Sequence, residues 1–341
     1  MRVLFRVEAN ADVGLGHSMR CLGLAQHLMD QGHSCHLVTT NSDDSLLKHW
    51  HEEATKTDNL TTTRYDNKNI KVGSDEDASL TLLEAGIFSA DWIVLDNYSF
   101  DFNFQTKLAN NNFYLLYLDD YLKEYIGADL VLNQNCQINS VAKKNYLTGA
   151  DYFLANRKLY RLIKQRNPAG ISKGDILVTF GGSDPDNLGL EVVQKLFFVI
   201  PENEHVHLAF SSNQYELLRS EEYAKSLNGR LIIHNRTSLV DIYPKIRFAI
   251  CAGGVTTLEL ASLGIVSGIL VLADNQEYGV SCLDNIGAAK RCNSIYEATN
   301  YIAWLLQNPE SSKRMSMIGI NLIDGKGVER VYRKMQEIMD S

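Results

Sequence analysis

Residues 1–40, MRVLFRVEANADVGLGHSMRCLGLAQHLMDQGHSCHLVTT, decide the fold. Arg2 to Val7 is a short apolar and β-branched run, and a glycine turn, Gly14-Leu15-Gly16-His17, follows it. Met19, Leu22, Ala25, Leu28 and Met29 then recur at helical spacing, and Gly32 stands where a helix end wants a left-handed residue. A second strand-like run, Cys35 to Thr39, comes next. Strand, glycine turn, helix, strand reads as one parallel unit, because parallel strands need a crossover between them.

The same alternation extends outward through Trp92 to Leu95, Phe113 to Leu118 and Leu130 to Leu132. It resumes at Asp175 to Phe180, His205 to Phe210, Arg230 to Ile233, Phe248 to Cys251 and Ile269 to Leu272. Between the two series, Tyr160 to Lys173 is basic and holds Pro168 and Gly170, a composition suited to an exposed connection. A chain of 341 residues also exceeds what one hydrophobic core supports. The expectation is therefore an α/β protein of two domains, 1–160 and 174–325, with a helix in 326–341 that packs on either. That helix shows Val328, Val331, Met335 and Ile338 on one face.

Apolar residues make up 45% of the chain and charged residues 22%, as in ordinary globular proteins. The net charge of -8 argues against nucleic-acid binding, which draws on a surplus of Lys and Arg near phosphates. No stretch suits a signal peptide or a membrane span, so a cytoplasmic protein without stable membrane association is expected. Six cysteines contain no CxxC pair, and the histidine pairs His33/His36, His49/His51 and His205/His207 lack acidic or cysteine partners. No metal and no cofactor are expected on that pattern.

Three glycine clusters each follow an apolar run and precede a helical one. They are Gly14 to His17, Gly181-Gly182-Ser183-Asp184, and Gly253-Gly254-Val255-Thr256-Thr257. Backbone amides at such turns are placed to meet an anion, although strand-to-helix turns also use glycine for purely steric reasons. The first cluster lacks the third glycine of the dinucleotide fingerprint and no P-loop occurs, which weighs against nicotinamide oxidoreductases and NTPases. His17 falls at a helix start, where the positive end of the dipole disfavours a second positive charge. Position alone also fits a histidine bonded to nearby backbone; the flanking glycines, which open space beside the ring, favour a proton acceptor. Glu259, about one and a half turns beyond Gly254, is placed to reach a ribose diol or else is a solvated helix carboxylate. Asp274-Asn275-Gln276 reads as a helix start whose amides are also suited to sugar hydroxyls.

These residues sit in longer motifs: R-V-E-A-N from Arg6, G-L-G-H-S-M-R-C-L-G-L-A from Gly14, L-D-N-Y ending at Tyr98, and L-N-Q-N through Asn133. F-G-G-S-D-P-D-N follows from Phe180, then A-G-G-V-T-T-L-E-L from Ala252 and L-A-D-N-Q ending at Gln276. With these motifs, from Arg6 to about Ala288, the chain resembles the UDP-sugar hydrolase of pseudaminic acid biosynthesis, which acts on UDP-2,4-diacetamido-2,4,6-trideoxy-β-L-altropyranose. It is more distantly similar to the UDP-GlcNAc-using glycosyltransferase of peptidoglycan assembly.

The resemblance implies a GT-B architecture, two Rossmann-like domains with parallel sheets facing an interdomain cleft, the second holding UDP. It implies that Gly253, Gly254, Thr256 and Thr257 surround the diphosphate, Glu259 meets the ribose, and Asn275 and Gln276 face the diphosphate or sugar. Gly181 and Gly182 join that substrate-binding set. His17 matches the family's catalytic histidine, with Arg6, Gly14, Gly16, Tyr98 and Asn133 on the sugar side. Glu8 stands where the family has Asp, and Asn156-Arg157-Lys158 fits a later L-R-P-E-F pattern only loosely; both departures fall where the sugar is expected. The implied reaction is inverting hydrolysis of a UDP-linked diacetamido-trideoxyhexose at its anomeric carbon. The alternatives are transfer to a carbohydrate acceptor and a non-catalytic nucleotide-sugar sensor.

Overall fold

The structure, a computed structural model, describes residues 1–8, 16–40, 44–54, 59–65, 70–109, 111–121, 127–135, 145–181, 184, 188–210, 214–235 and 238–341. The chain forms two compact units, Met1–Arg157 with Lys326–Ser341, and Lys158–Gly325.

The first unit is built on parallel strands β1 (Arg2–Val7), β2 (Ser34–Thr39), β3 (Leu60–Arg64), β4 (Trp92–Asp96), β5 (Tyr114–Leu118), β6 (Leu130–Asn133) and β7 (Tyr146–Thr148). Their order across the sheet is β3-β2-β1-β4-β5-β6-β7. Helices α1 (Gly16–Asp30), α2 (Asp44–Ala54), α3 (Asp75–Phe88) and α4 (Phe102–Ala109) make the crossovers, and α5 (Arg157–Gln165) leads into the second unit. That unit carries β8 (Asp175–Thr179), β9 (Val206–Phe210), β10 (Leu231–Asn235), β11 (Ile246–Ala252), β12 (Val266–Leu270) and β13 (Lys290–Cys292), in the order β10-β9-β8-β11-β12-β13. Its helices are α6 (Leu188–Leu196), α7 (Gln214–Lys225), α8 (Leu239–Ile242), α9 (Thr256–Leu263), α10 (Asp274–Ile286), α11 (Ile295–Gln307) and α12 (Pro309–Leu322); α13 (Gly327–Met339) belongs to the first unit.

Central strands are buried on both faces, which is why they read as apolar runs. Strands without such a run lie at sheet edges: the threonine-rich β3, the three-residue β7 and the basic β13. β12 begins three residues before the run Ile269 to Leu272, because Ser267 and Gly268 interrupt the apolar pattern. A Cβ at Gly268 would come within 3.3 Å of the Tyr301 ring, so close helix packing keeps the position small. The stretch 160–173, read as an exposed connection, contains the last six residues of α5. There Arg166 donates to the carbonyls of Ser262, Ile320 and Ile323 and fastens the segment to the second unit.

α1 ends as expected: Gly32 takes φ 81° and its amide donates to the Met29 carbonyl, while that of His33 reaches Leu28. The helix is buried over most of its circumference because α13 covers the side turned away from the sheet. Val328, Val331 and Met335 join the same core as Leu22, Leu28 and Trp50. Each such burial contributes roughly 1.5–3 kcal/mol.

Arg6 departs from its expected place on the sugar side. Its side chain is fully buried, with Nε and one terminal nitrogen donating to the two oxygens of Asp77 at 2.9 and 3.0 Å and the other to Glu8 at 2.5 Å. Glu8 in turn accepts from the Thr40 amide at 2.6 Å and from the hydroxyls of Thr40 and Thr39. Arg6 and Glu8 therefore tie the end of β1 to α3 and to the end of β2, and neither presents a free polar edge to a sugar. Removing one partner of a buried pair strands the other charge, at about 3–5 kcal/mol. Asp77→Ala should lose about that much stability in urea unfolding, whereas a surface substrate ligand would cost under about 0.5 kcal/mol.

Candidate active site

In each sheet the strand order reverses at one point, between β1 and β4 and between β8 and β11. Among the residues singled out by sequence, His17, Tyr98, Gly181, Gly253 and Gly254 follow the carboxyl ends of these strands. This is where open parallel sheets bind ligands, since loops leaving neighbouring strands part there.

At the first reversal, α1 follows β1 and brings His17 over the end of β4. His17 Nδ1 lies 2.5 Å from Asp96 Oδ1, and its ring meets Tyr98 edge-on with centroids 4.8 Å apart. Arg20, one turn along the same helix face, sends two nitrogens to the two oxygens of Asp96, each at 2.7 Å. It also reaches both oxygens of Asp120, at 2.7 and 3.1 Å. Asp120 accepts further from Tyr98 Oη at 3.1 Å and Asn135 Nδ2 at 2.9 Å. Burial alone would push the Asp96 carboxyl up; Arg20, then His17, outweigh it and hold the group at about 2. Burial likewise opposes Arg20, which brings Asp120 below its ordinary value. Burial, and then the charge of Asp96, push the Cys21 thiol well up, so Cys21 stays a neutral donor to Asp96 at 3.4 Å.

An ionised Asp96 only accepts hydrogen bonds, so the proton on the facing ring nitrogen belongs to Nδ1. Arg20, 3.1 Å from the same nitrogen, directs its hydrogens to the carboxylates instead. Nε2 has no partner among the described residues. The fixing element is thus a carboxylate, nearer than the helix dipole on which the sequence expectation rested.

At the second reversal the glycine turns divide. Gly181 takes φ 80° in open space after β8. Beyond it, Asp184 accepts from the amides of Leu188 and Gly189, each at 2.9 Å, and so supplies the anion at the start of α6 itself. Asp184 opens an Asp-x-Asp stretch, a spacing suited to a divalent cation, yet both its oxygens serve helix amides. The turn after β11 is different. No side chain caps α9, and no acceptor among the described residues serves the amides of Gly254, Val255 or Thr256. A Cβ at Gly254 would meet nothing within 4 Å. Three unpaired amides at a helix start in open space suit a phosphate.

Around these amides several expected ligands turn out to be framework. A Cβ at Gly253 would come within 2.5 Å of Val280, so this glycine serves the packing of α10. Thr257 is buried and its hydroxyl donates to the Gly254 carbonyl at 2.8 Å. Gln276 Oε1 accepts from the amides of Gly253 at 3.1 Å and Leu272 at 2.9 Å, and so braces both turns while its amide nitrogen remains unpaired among the described residues. Thr256 and Asn275 are half-buried at the starts of α9 and α10. Glu259 is also half-buried, with Oε2 accepting from Tyr243 Oη at 2.5 Å.

Asn133 ends β6, and its buried Nδ2 has no partner among the described residues. The residue is 1% exposed and uses Oδ1 to accept from the Asn135 amide at 2.9 Å, a turn that delivers Asn135 to Asp120. Gly16 opens α1, half-buried; Gly14 and Gly182 lie outside the described residues. Asp96, Arg20, Asp120 and Asn135 were not singled out from sequence. Three of them lie within the motifs already quoted, and the spacing His17 to Arg20 was the available signal.

No protein-family model matches the chain. It is 23% identical over 299 residues, 81% of its length, to an uncharacterized protein of Methanocaldococcus jannaschii, of which it spans only 56%. It is 22% identical over 242 residues to the UDP-2,4-diacetamido-2,4,6-trideoxy-beta-L-altropyranose hydrolase of Campylobacter jejuni, covering 68% of this chain and 78% of that one. Among solved structures, MurG of Acinetobacter baumannii aligns with a TM-score of 0.65 at 15% identity, over 98% of this chain and 99% of that chain. The UDP-GlcNAc 2-epimerase of Neisseria meningitidis bound to UDP-GlcNAc aligns with a TM-score of 0.67 at 12% identity, over 99% of this chain and 100% of that chain. Identities this low carry the fold alone. The two parallel-sheet α/β units, of seven and six strands among the described residues, are those of the GT-B fold.

Proposed function

We propose that the protein processes a UDP-sugar, and that the reaction is inverting hydrolysis of a UDP-linked diacetamido-trideoxyhexose, releasing UDP and the free sugar. The observation that carries the reading is the His17–Asp96 pair, in which a buried carboxylate fixes one ring nitrogen and leaves the other without a partner. Such a pair is the arrangement by which a histidine takes a proton from an attacking oxygen. The nucleotide is assigned to the second unit, with the diphosphate on the amides of Gly254, Val255 and Thr256 and the ribose on Glu259. The weak likeness to the Campylobacter hydrolase supports the choice of sugar class.

In the proposed step, water attacks the anomeric carbon and His17 Nε2 takes its proton. The bond from that carbon to the diphosphate oxygen breaks, and UDP leaves with the electron pair. A single displacement inverts the centre. Charge developing on the leaving diphosphate falls on the α9 amides, whose orientation is set before reaction. Transfer to a carbohydrate acceptor would use the same groups with a sugar hydroxyl in place of water. The two readings separate on whether UDP release from UDP-sugars needs an acceptor; hydrolysis predicts release without one.

The roles give distinct expected outcomes. His17→Asn and Asp96→Asn should each lower turnover on the order of 10²–10⁴ while UDP affinity by calorimetry stays near wild type. Parallel loss of UDP binding in His17→Asn would remove the base assignment. Gly254→Ala should leave stability within about 0.5 kcal/mol yet weaken UDP binding, since its Cβ meets no protein atom. Gly253→Ala should instead lower the melting temperature, because its Cβ collides with α10. Turnover should persist in EDTA, as the amides take the role a cation has in other diphosphate sites; loss restored by magnesium would count against that.

A further inference from the structure

Tyr243 is the residue before Pro244 in the short turn that leads into β11, and its side chain is among the largest fully buried ones. A buried phenol needs a partner for its hydroxyl. Here the partner is Glu259 Oε2, at 2.5 Å, one turn beyond the unpaired amides of α9. Glu259 Oε1 has no hydrogen bond among the described residues, and the residue is half-buried rather than sealed. One carboxylate oxygen is therefore held from within the protein and the other is left for a donor from outside.

We propose that Tyr243 is a positioning residue that fixes the Glu259 carboxylate for a ribose diol and so gives the site its preference for ribonucleotides over deoxyribonucleotides. This rests on the assignment of Glu259 to the ribose made above. The terminal torsion of a glutamate is broad, so an untethered carboxylate presents its oxygens in many directions. The hydrogen bond from Tyr243 removes that freedom before a ligand arrives. It also favours the ionised form: burial holds the Glu259 carboxyl above its ordinary value, and the Tyr243 hydroxyl offsets part of that rise. An ionised carboxylate only accepts, which matches two ribose hydroxyls that can donate. A tether serving only to fasten α9 to the turn before β11 would not distinguish ligands that differ by one hydroxyl.

The test measures binding of UDP, 2′-deoxy-UDP and 3′-deoxy-UDP by calorimetry to wild type, Tyr243→Phe, Glu259→Ala and the double variant. The phenylalanine ring keeps the buried packing, and a cooperative thermal melt checks the fold. Wild type should favour UDP over at least one deoxy analogue on the order of tenfold, as expected for a hydrogen bond to a charged acceptor. Tyr243→Phe should bring that ratio towards one, and should change it no further when Glu259 is already alanine. A wild type that binds all three equally overturns the ribose assignment and the proposal with it. A wild type that discriminates, beside a Tyr243→Phe variant with the same ratio, overturns the role of Tyr243 alone. So does a variant that weakens all three ligands equally.

Discussion

Where neighbouring parallel strands send their crossovers to opposite faces of a sheet, the loops leaving their carboxyl ends must part. The strand orders place one such parting between β1 and β4 and another between β8 and β11. The groups assigned to the proposed reaction are arranged by these two partings. The first receives a histidine because α1 starts there and an aspartate because β4 ends there. The second receives bare helix amides because α9 begins there without a cap. Backbone topology thus fixes where functional groups gather before any side chain is chosen.

Buried charge is the second organising feature of the first unit. Arg6 and Arg20 are both almost fully buried, and each is met by two carboxylates, Asp77 and Glu8 in one case, Asp96 and Asp120 in the other. A lone buried guanidinium would be prohibitive; a guanidinium between two acids is tolerable and directional. The two arginines differ in what their acids do next. Glu8 ends on backbone and hydroxyls of β2 and the residue after it, so the Arg6 cluster closes on itself. Asp96 and Asp120 end on His17, Tyr98 and Asn135, so the Arg20 cluster opens towards groups with accessible edges.

Much of this was legible in the sequence. The central strands were visible because burial on both faces leaves an uninterrupted apolar run, and the edges β3, β7 and β13 were not because one side meets solvent. His17, Tyr98, Gly254 and Glu259, singled out from sequence, lie close to the partings. What the sequence could not separate was a glycine needed by a ligand from one needed by a neighbouring helix, as Gly254 and Gly253 are adjacent and chemically identical. Nor could it show that Asp184 fills its own helix start, or that Arg6 and Asn133 face inward. Arg6 is a matter of long-range contact, its partner Asp77 lying 71 positions away, whereas Asp184 is satisfied locally by amides four and five residues on.

The helix that bears His17 is covered on its outer side by α13, whose residues are made only after the whole second unit. During vectorial synthesis the first unit thus emerges with its sheet complete and the apolar back of α1 uncovered. It must wait for the chain to traverse 168 further residues, Lys158–Gly325, before Val328, Val331 and Met335 arrive to close it. A nascent chain arrested inside the second unit therefore carries apolar residues of α1 that α13 would otherwise cover. The order of translation itself thus couples completion of the first unit's core to completion of the second unit.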